Sequence, residues 1–246
     1  MKNYLLTLMY DGSLFHGWQV QNNALTVQSC LQDAVEKILS VRENVTGCSR
    51  TDSGVHANMF CCNMRTDREI DTALFKKSLN AVLHTGIAVT EVKEVPYGFH
   101  ARYNCVSKEY KYLIFNRDYN NPFYSGRALM YPYKIDAELL DNEARDFLGT
   151  HDFTSFCAAN TDTEDKIRTV KAVSFKREND FAVFTVEADG FLYNMVRIMT
   201  GTLLDINSGK IKPGSIPEII AKKDRAFAGV TAKPCGLYLN KVNYDL

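Results

Sequence analysis

Between Tyr4 and Val95 the spacing of apolar residues switches from a strand's period to a helix's and back, twice. Tyr4–Tyr10 alternates as a strand does. Thr26–Ser40 reads as a helix, with Val27, Leu31, Ala34, Val35 and Ile38 on one stripe and Thr26 placed to cap it. Val45–Gly47 and Met59–Met64 read as strands. Thr72–Leu83 reads as a helix behind the cap Asp71, and Ile87–Val95 as a strand ending at Pro96. Neither a helix nor a sheet can bury its apolar side alone, so this run must lay helices on a sheet.

The second half repeats the order. Tyr110–Phe115 reads as a strand, Ala137–Leu148 as a helix, Ile167–Phe175 and Phe181–Ala188 as strands, Leu192–Ile206 as a helix and Gly236–Val242 as a strand. A further helix is expected at Ser215–Lys223. The halves share element order and not sequence. The expected fold is therefore α+β: two pseudo-duplicated β-α-β-β-α-β halves with mixed or antiparallel sheets, helices on one face, and a basic cleft between them. The seam falls in 96–106, which gives an N-terminal half of residues 1–104 and a C-terminal half of residues 105–246.

Apolar content of 46% and charged content of 24% are those of a globular protein and exclude disordered and fibrous classes. The opening MKNYLLTLMYDG is too short for a membrane span and lacks a small-residue cleavage site, and no later stretch could cross a bilayer. A cytoplasmic protein without a membrane partner is expected. The seven cysteines are odd in number and have no CxxC spacing, which points to reduced thiols; with no HxxxH or HExxH either, no metal is expected. The formal net charge is zero, unlike most nucleic-acid binders. Its distribution is uneven, however. Residues 136–146 carry five acids against one arginine, and residues 201–246 carry seven Lys/Arg against four Asp/Glu. A neutral total can thus conceal a basic cleft.

One stretch follows neither period: GCSRTDSGVHA, residues 47–57. Arg50 lies two residues before Asp52, where a guanidinium favours the ionised carboxylate. Gly54 permits a positive φ or a close approach of a ligand. An ordinary turn would also explain the composition. So would the Asp-Ser-Gly triplet of aspartic proteases, but that chemistry needs two triplets sharing a proton, and one is present. The preceding Cys48-Ser49-Arg50-Thr51 is not an apolar strand, and Arg50 opposes a shared proton.

Two further segments carry candidates. In GFLYNMVRIMTG (190–201), Leu192, Met195, Val196 and Met199 form a core stripe, while Asn194, Arg197 and Gly201 lie on another face. Arg197 is either a solvated surface residue or a cation aimed into a cleft at a carboxylate or phosphate. PYGFHARYNCVSKEYKY (96–112) interleaves Phe99, Tyr103, Tyr110 and Tyr112 with His100 and Arg102. Such interleaving suits base stacking and phosphate contact, or simple packing at a sheet edge. His151-Asp152 reads as a polar turn ahead of packed Phe153 and Phe156.

Five blocks in this order resemble the TruA family of tRNA pseudouridine synthases: YDGSLFHGWQVQ (10–21), GCSRTDSGVHA (47–57), FHARYNCVSKEYKY (99–112), THDFTSF (150–156) and GFLYNMVRIMTGTLL (190–204). The ending AKPCGLYLNKV (232–242) fits as well. The resemblance implies that Asp52 is the essential aspartate of uridine-to-pseudouridine isomerisation and Arg50 the arginine associated with displacing the target base. It implies that Tyr110 packs on the flipped uracil and that Arg197 pairs with the aspartate. It further implies action on uridines 38, 39 and 40 of the tRNA anticodon stem-loop, by a homodimer, with neither metal nor cofactor. The sequence departs from the family pattern at Cys48, at Ser53, and at Lys108-Glu109, where a basic pair is usual.

Overall fold

The computed structural model describes residues 1–159 and 163–245 and divides into two units. The first comprises Met1–Val106 together with the chain from Leu239 on; the second is Ser107–Tyr238. The first runs β1 (Lys2–Tyr10), α1 (Val27–Leu39), β2 (Val45–Gly47), β3 (His56–Thr66), α2 (Thr72–Val82) and β4 (Ile87–Val95). The second opens with β5 (Cys105–Phe115) and continues through β6 (Leu129–Met130), α3 (Ala137–Ala144), β7 (Gly149–Asp152), β8 (Ile167–Glu178), β9 (Phe181–Ala188), α4 (Met195–Asn207) and α5 (Ile216–Lys222). β10 (Leu237–Tyr244) follows, and its residues from Leu239 belong to the first unit, beside β3. The fold is α+β with mixed strand pairing.

In the first unit β1 is central, antiparallel to β3 on one side and to β4 on the other. Asn3 through Leu8 are all buried, so both faces of the strand are covered and it shows no clean alternation of buried and exposed residues. Reciprocal hydrogen bonds between Thr26 and Ser29 cap α1, and Val27, Leu31, Ala34 and Val35 form its buried stripe. The Asp71 carboxylate accepts from the Ala73 and Leu74 N–H groups at the head of α2, as the sequence suggests. β3 starts at His56, three residues ahead of the expected Met59, because Tyr10 of β1 pairs with Ala57.

Two buried asparagines inside this sheet fix the chain that leaves it. Asn3 Nδ2 donates to the carbonyls of Phe99, Pro96 and Tyr97, and Asn63 Nδ2 donates to Asn3 Oδ1 at 3.1 Å. Asn63 Oδ1 in turn accepts from the Ala101 N–H at 2.9 Å. The Tyr244 hydroxyl donates to the Ala101 carbonyl at 2.7 Å. Irregular backbone can be buried only where its polar groups find partners of this kind.

In the second unit β5 pairs with β9, β9 with β8, and β8 with β7, all antiparallel, while β6 lies parallel to β5. The pairing order echoes the first unit: β1 joins β3 with β2 beyond, and β5 joins β9 with β8 beyond. Boundaries depart from the sequence reading at several points, among them a β5 that starts at Cys105 rather than Tyr110 and a β8 that runs on to Glu178 rather than ending at Phe175. Asn194 is left-handed, with φ of 61°, so α4 starts at Met195 and not at Leu192. After Ala144 the chain tightens into a 3₁₀ turn, and α3 is shorter than Ala137–Leu148. The His151-Asp152 segment, read as a turn, is strand β7, although Phe153 and Phe156 are fully buried as expected.

All seven cysteines are free thiols, and Cys48, Cys61, Cys62 and Cys157 are buried. Burial pushes the Cys61 thiol up to about 11 and Cys62 well above its ordinary value, which keeps both un-ionised near neutral pH.

Asn63→Leu strands two polar groups, the Ala101 N–H and Asn3 Oδ1. Each loss costs about 1–3 kcal/mol, so urea unfolding should show a destabilisation of about 2–6 kcal/mol.

Candidate active site

Asp52 opens a tight turn in the first unit. The Val55 N–H donates to the Asp52 carbonyl at 3.1 Å, and Gly54 between them has φ of 79°, which glycine adopts without strain. The turn belongs to no helix or strand. Its shape comes instead from residues 10–18, the connection after β1. Trp18 N–H donates to the Thr51 carbonyl at 3.1 Å, Gly54 N–H to the Phe15 carbonyl at 3.4 Å, and the Tyr10 and Thr51 hydroxyls lie 2.9 Å apart.

Two glycines allow the two loops to come this close. A methyl group on Gly12 would stand 2.0 Å from the Val55 carbonyl oxygen, and one on Gly17 would stand 2.4 Å from that of Thr51. The Trp18 ring stacks on Phe60 at 4.2 Å. Buried His56 fixes the far end of the turn, its Nδ1 accepting the Gly12 N–H at 3.0 Å. An accepting Nδ1 carries no proton, so the Asp11 carboxylate at 3.3 Å is a neighbour of that atom rather than its ion pair. Within this frame Asp52 is half-buried and Arg50 exposed.

Tyr110 and Arg197 belong to the second unit. Tyr110 lies on β5 opposite Val186, is 6% exposed, and meets Phe191 edge-to-face at 5.0 Å. Arg197, near the start of α4, donates from Nε to the Ala232 carbonyl at 2.7 Å and from Nη1 to Asn194 Oδ1 at 2.6 Å. The Ala232 N–H returns a bond to the Arg197 carbonyl at 3.1 Å. The segment holding Ala232 lies on the helix face that carries Gly201 and Thr202. A methyl group on Gly201 would overlap the Val230 carbonyl oxygen at 1.7 Å, and the Gly229 and Val230 N–H groups donate to Thr202 and Asp205. One edge of the Arg197 guanidinium is thereby fixed in direction.

The aromatic and basic stretch at 96–112 separates into two roles. Phe99 and Tyr112 are core residues: Phe99 packs on Tyr244, and the Tyr112 hydroxyl donates to the Lys233 carbonyl at 2.6 Å. His100 and Arg102 instead gather on the ring of Tyr103, which is 77% exposed. Sequence reasoning gave no role to Gly12, Gly17, Trp18 or Ala232. Their only signal was membership of the blocks at 10–21 and 232–242.

Residues 7–104 and 144–245 match the family model described as tRNA pseudouridine synthase. The chain belongs to that family. It is 42% identical over 244 residues to tRNA pseudouridine synthase A of Thermoanaerobacter sp. (strain X514), covering 99% of this chain and 100% of that one. Identity is 41% over 244 residues, with the same coverage, to the protein of that name from Caldicellulosiruptor saccharolyticus, and 40% over 248 residues, covering both chains fully, to that of Listeria monocytogenes. A chain in the crystal structure of a Cbf5-Nop10-Gar1 complex is 11% identical, covering 94% of this chain and 50% of that one, with a TM-score of 0.39, too loose a likeness to bear on fold or function. The stretches matching the tRNA pseudouridine synthase model hold Arg50, Asp52 and Arg197, while Tyr110 lies between them, inside the full-length matches. Among the described residues no helix is long and apolar enough to cross a membrane, and no group of three or more His, Cys, Asp or Glu could hold a metal ion.

Gly201→Ala tests the clamp on α4. Helix propensity alone favours alanine by about 1 kcal/mol. The overlap with the Val230 carbonyl reverses that sign, and thermal or urea unfolding should show a net loss of about 1–2 kcal/mol.

Proposed function

We propose that this chain isomerises uridine to pseudouridine at positions 38, 39 and 40 of the tRNA anticodon stem-loop, with Asp52 as the essential carboxylate acting on a flipped-out base. The observation that carries this reading is the mounting of Asp52. A half-buried carboxylate heads a turn fixed by a second loop, in a chain whose full-length relatives are named tRNA pseudouridine synthase A. A nucleophile or base that must meet one carbon atom benefits from such rigidity, because misplacement by about 1 Å costs about 100-fold in rate.

The reaction exchanges a C1′–N1 bond for a C1′–C5 bond, moves a proton off C5 and returns one to N1. Product and substrate have the same atoms and oxidation state, so the chemistry calls for neither a redox agent nor an energy source. Flipping the base costs a few kcal/mol, roughly, and stacking on Tyr110 offsets about 1–3 kcal/mol of it. Arg50, exposed beside Asp52, takes the part of the residue that displaces the target base. Arg197 supplies the positive partner of the Asp52 carboxylate, with its own direction set by Ala232 and Asn194. The enzyme works as a cytoplasmic homodimer, with the aspartate loop supplied by the first unit and Tyr110 and Arg197 by the second.

Tritium release from C5-labelled uridine in tRNA is the direct test. Wild type should release label, and Asp52→Asn should fold, bind tRNA and release none; turnover by the variant would remove Asp52 from the chemistry. Arg197→Lys keeps the charge but not the fork that bonds Ala232 and Asn194 together. A fall of about 100-fold in turnover is expected, and wild-type turnover would reduce Arg197 to a contact residue.

A further inference from the structure

Among the described residues, three charged residues outside the Asp52 turn are buried, each 8% exposed: Lys108, Glu143 and Asp205. Two are satisfied. Both Glu143 carboxylate oxygens accept the Gly214 N–H, at 2.8 and 3.0 Å. Asp205 accepts the Val230 N–H and lies 3.4 Å from the Lys210 ammonium. Lys108 is 8% exposed and, among the described residues, has no hydrogen-bond or ion-pair partner.

Its bed is apolar. Lys108 pairs across β9 with Ala188, which pairs in turn with Val170 of β8, and both are buried. The acids nearest in sequence do not serve it. Glu109 and Glu187 stand opposite one another in the ladder, Ser107 donates to Glu187 at 2.5 Å, and the alternation of strand side chains puts all three on the other face from Lys108. That alternation puts Tyr110 on the same face as Lys108, about 7 Å along the strand, within the span of a lysine side chain. The Lys108 stem is buried, but its partnerless ammonium is not sealed from solvent, and strand register places it beside the aromatic ring proposed to stack on the base.

We propose that the Lys108 ammonium is a catalytic group that bonds the carbonyl oxygens of the flipped uracil and stabilises the negative charge the ring acquires during isomerisation. The inference rests on the reading of Tyr110 as the stacking residue. When the C1′–N1 bond breaks, its electron pair stays on the ring and is shared by N1, O2 and O4. C5 then bonds C1′ and loses its proton, and N1 takes one up. If the carboxylate adds to C6 instead, the charge falls on O4. Every route therefore loads the ring carbonyls with charge that the ground state lacks, and a fixed cation there lowers the barrier. A planar base lying over Tyr110 would bring its carbonyl oxygens within reach of the Lys108 ammonium on the same strand face.

Lys108→Met tests this, because it keeps the side chain's length and removes the charge. Wild type and variant are compared in tritium release from C5-labelled uridine in tRNA, in tRNA affinity across a salt series, and in urea unfolding. Expected are a fall of about 100- to 1,000-fold in kcat, unchanged affinity and salt slope, and an unfolding midpoint close to that of wild type, which excludes misfolding as the cause. Weaker binding with a salt slope reduced by about one at unchanged kcat would make Lys108 a phosphate contact and overturn the proposal. Unchanged kcat and unchanged affinity would overturn it as well. No label release by wild type would instead overturn the isomerase reading itself.

Discussion

A reactive carboxylate on a short turn has no core of its own to hold it. Here its position depends on backbone hydrogen bonds from residues 10–18 to residues 51–55, and on the missing side chains of Gly12 and Gly17 that let the two loops close to that distance. Hydrophobic burial enters only around the edges, where the Trp18 and Tyr10 rings on Phe60 seat the supporting loop on the sheet. Main-chain bonds suit this purpose: their geometry is stiff, and they do not change with the protonation of a nearby group. Buried His56 extends the same device by presenting a ring nitrogen to the Gly12 N–H.

The second unit solves a similar problem by other means. An arginine on a helix can sweep a wide arc, and both its polar neighbours restrict it: Asn194, held left-handed at the helix start, and the Ala232 carbonyl on the segment laid across Gly201. That segment also explains why α4 is buried over nearly its whole length, beyond the single stripe a surface helix shows. A glycine in mid-helix, unfavourable by propensity, is accounted for by the strand of chain it admits.

Much of the fold was legible because period and capping are local properties. The α1 stripe, the Thr26 and Asp71 caps, β4 and β9 all follow from residues within a turn or two of each other. Contacts between distant segments left weaker traces. Nothing near Gly149 announces strand β7, whose existence depends on pairing with β8, and nothing in the sequence of β10 says which unit it joins. The site was legible as residue types and not as support. Asp52, Arg50, Tyr110 and Arg197 stood out by chemistry, whereas Gly12, Gly17, Trp18 and Ala232 matter through backbone atoms that every residue possesses. Lys108 drew attention only as a departure from a pattern; its isolation required knowing what each neighbouring strand places opposite it.

The place of β10 bears on how the molecule is made. The strand beside β3, the Asn240 side chain bonded to Asn58, and the Tyr244 hydroxyl on the Ala101 carbonyl all come from residues synthesised after the whole of the second unit. A nascent first unit therefore leaves the ribosome with β2 covering only Cys62–Met64 on one flank of β3, and the rest of that flank exposes main-chain groups that invite pairing with other chains. Its sheet is completed only after the second unit has been synthesised. Residues 1–106 expressed alone lack that flank, and the aspartate turn that follows β2 then rests on a sheet with an open edge.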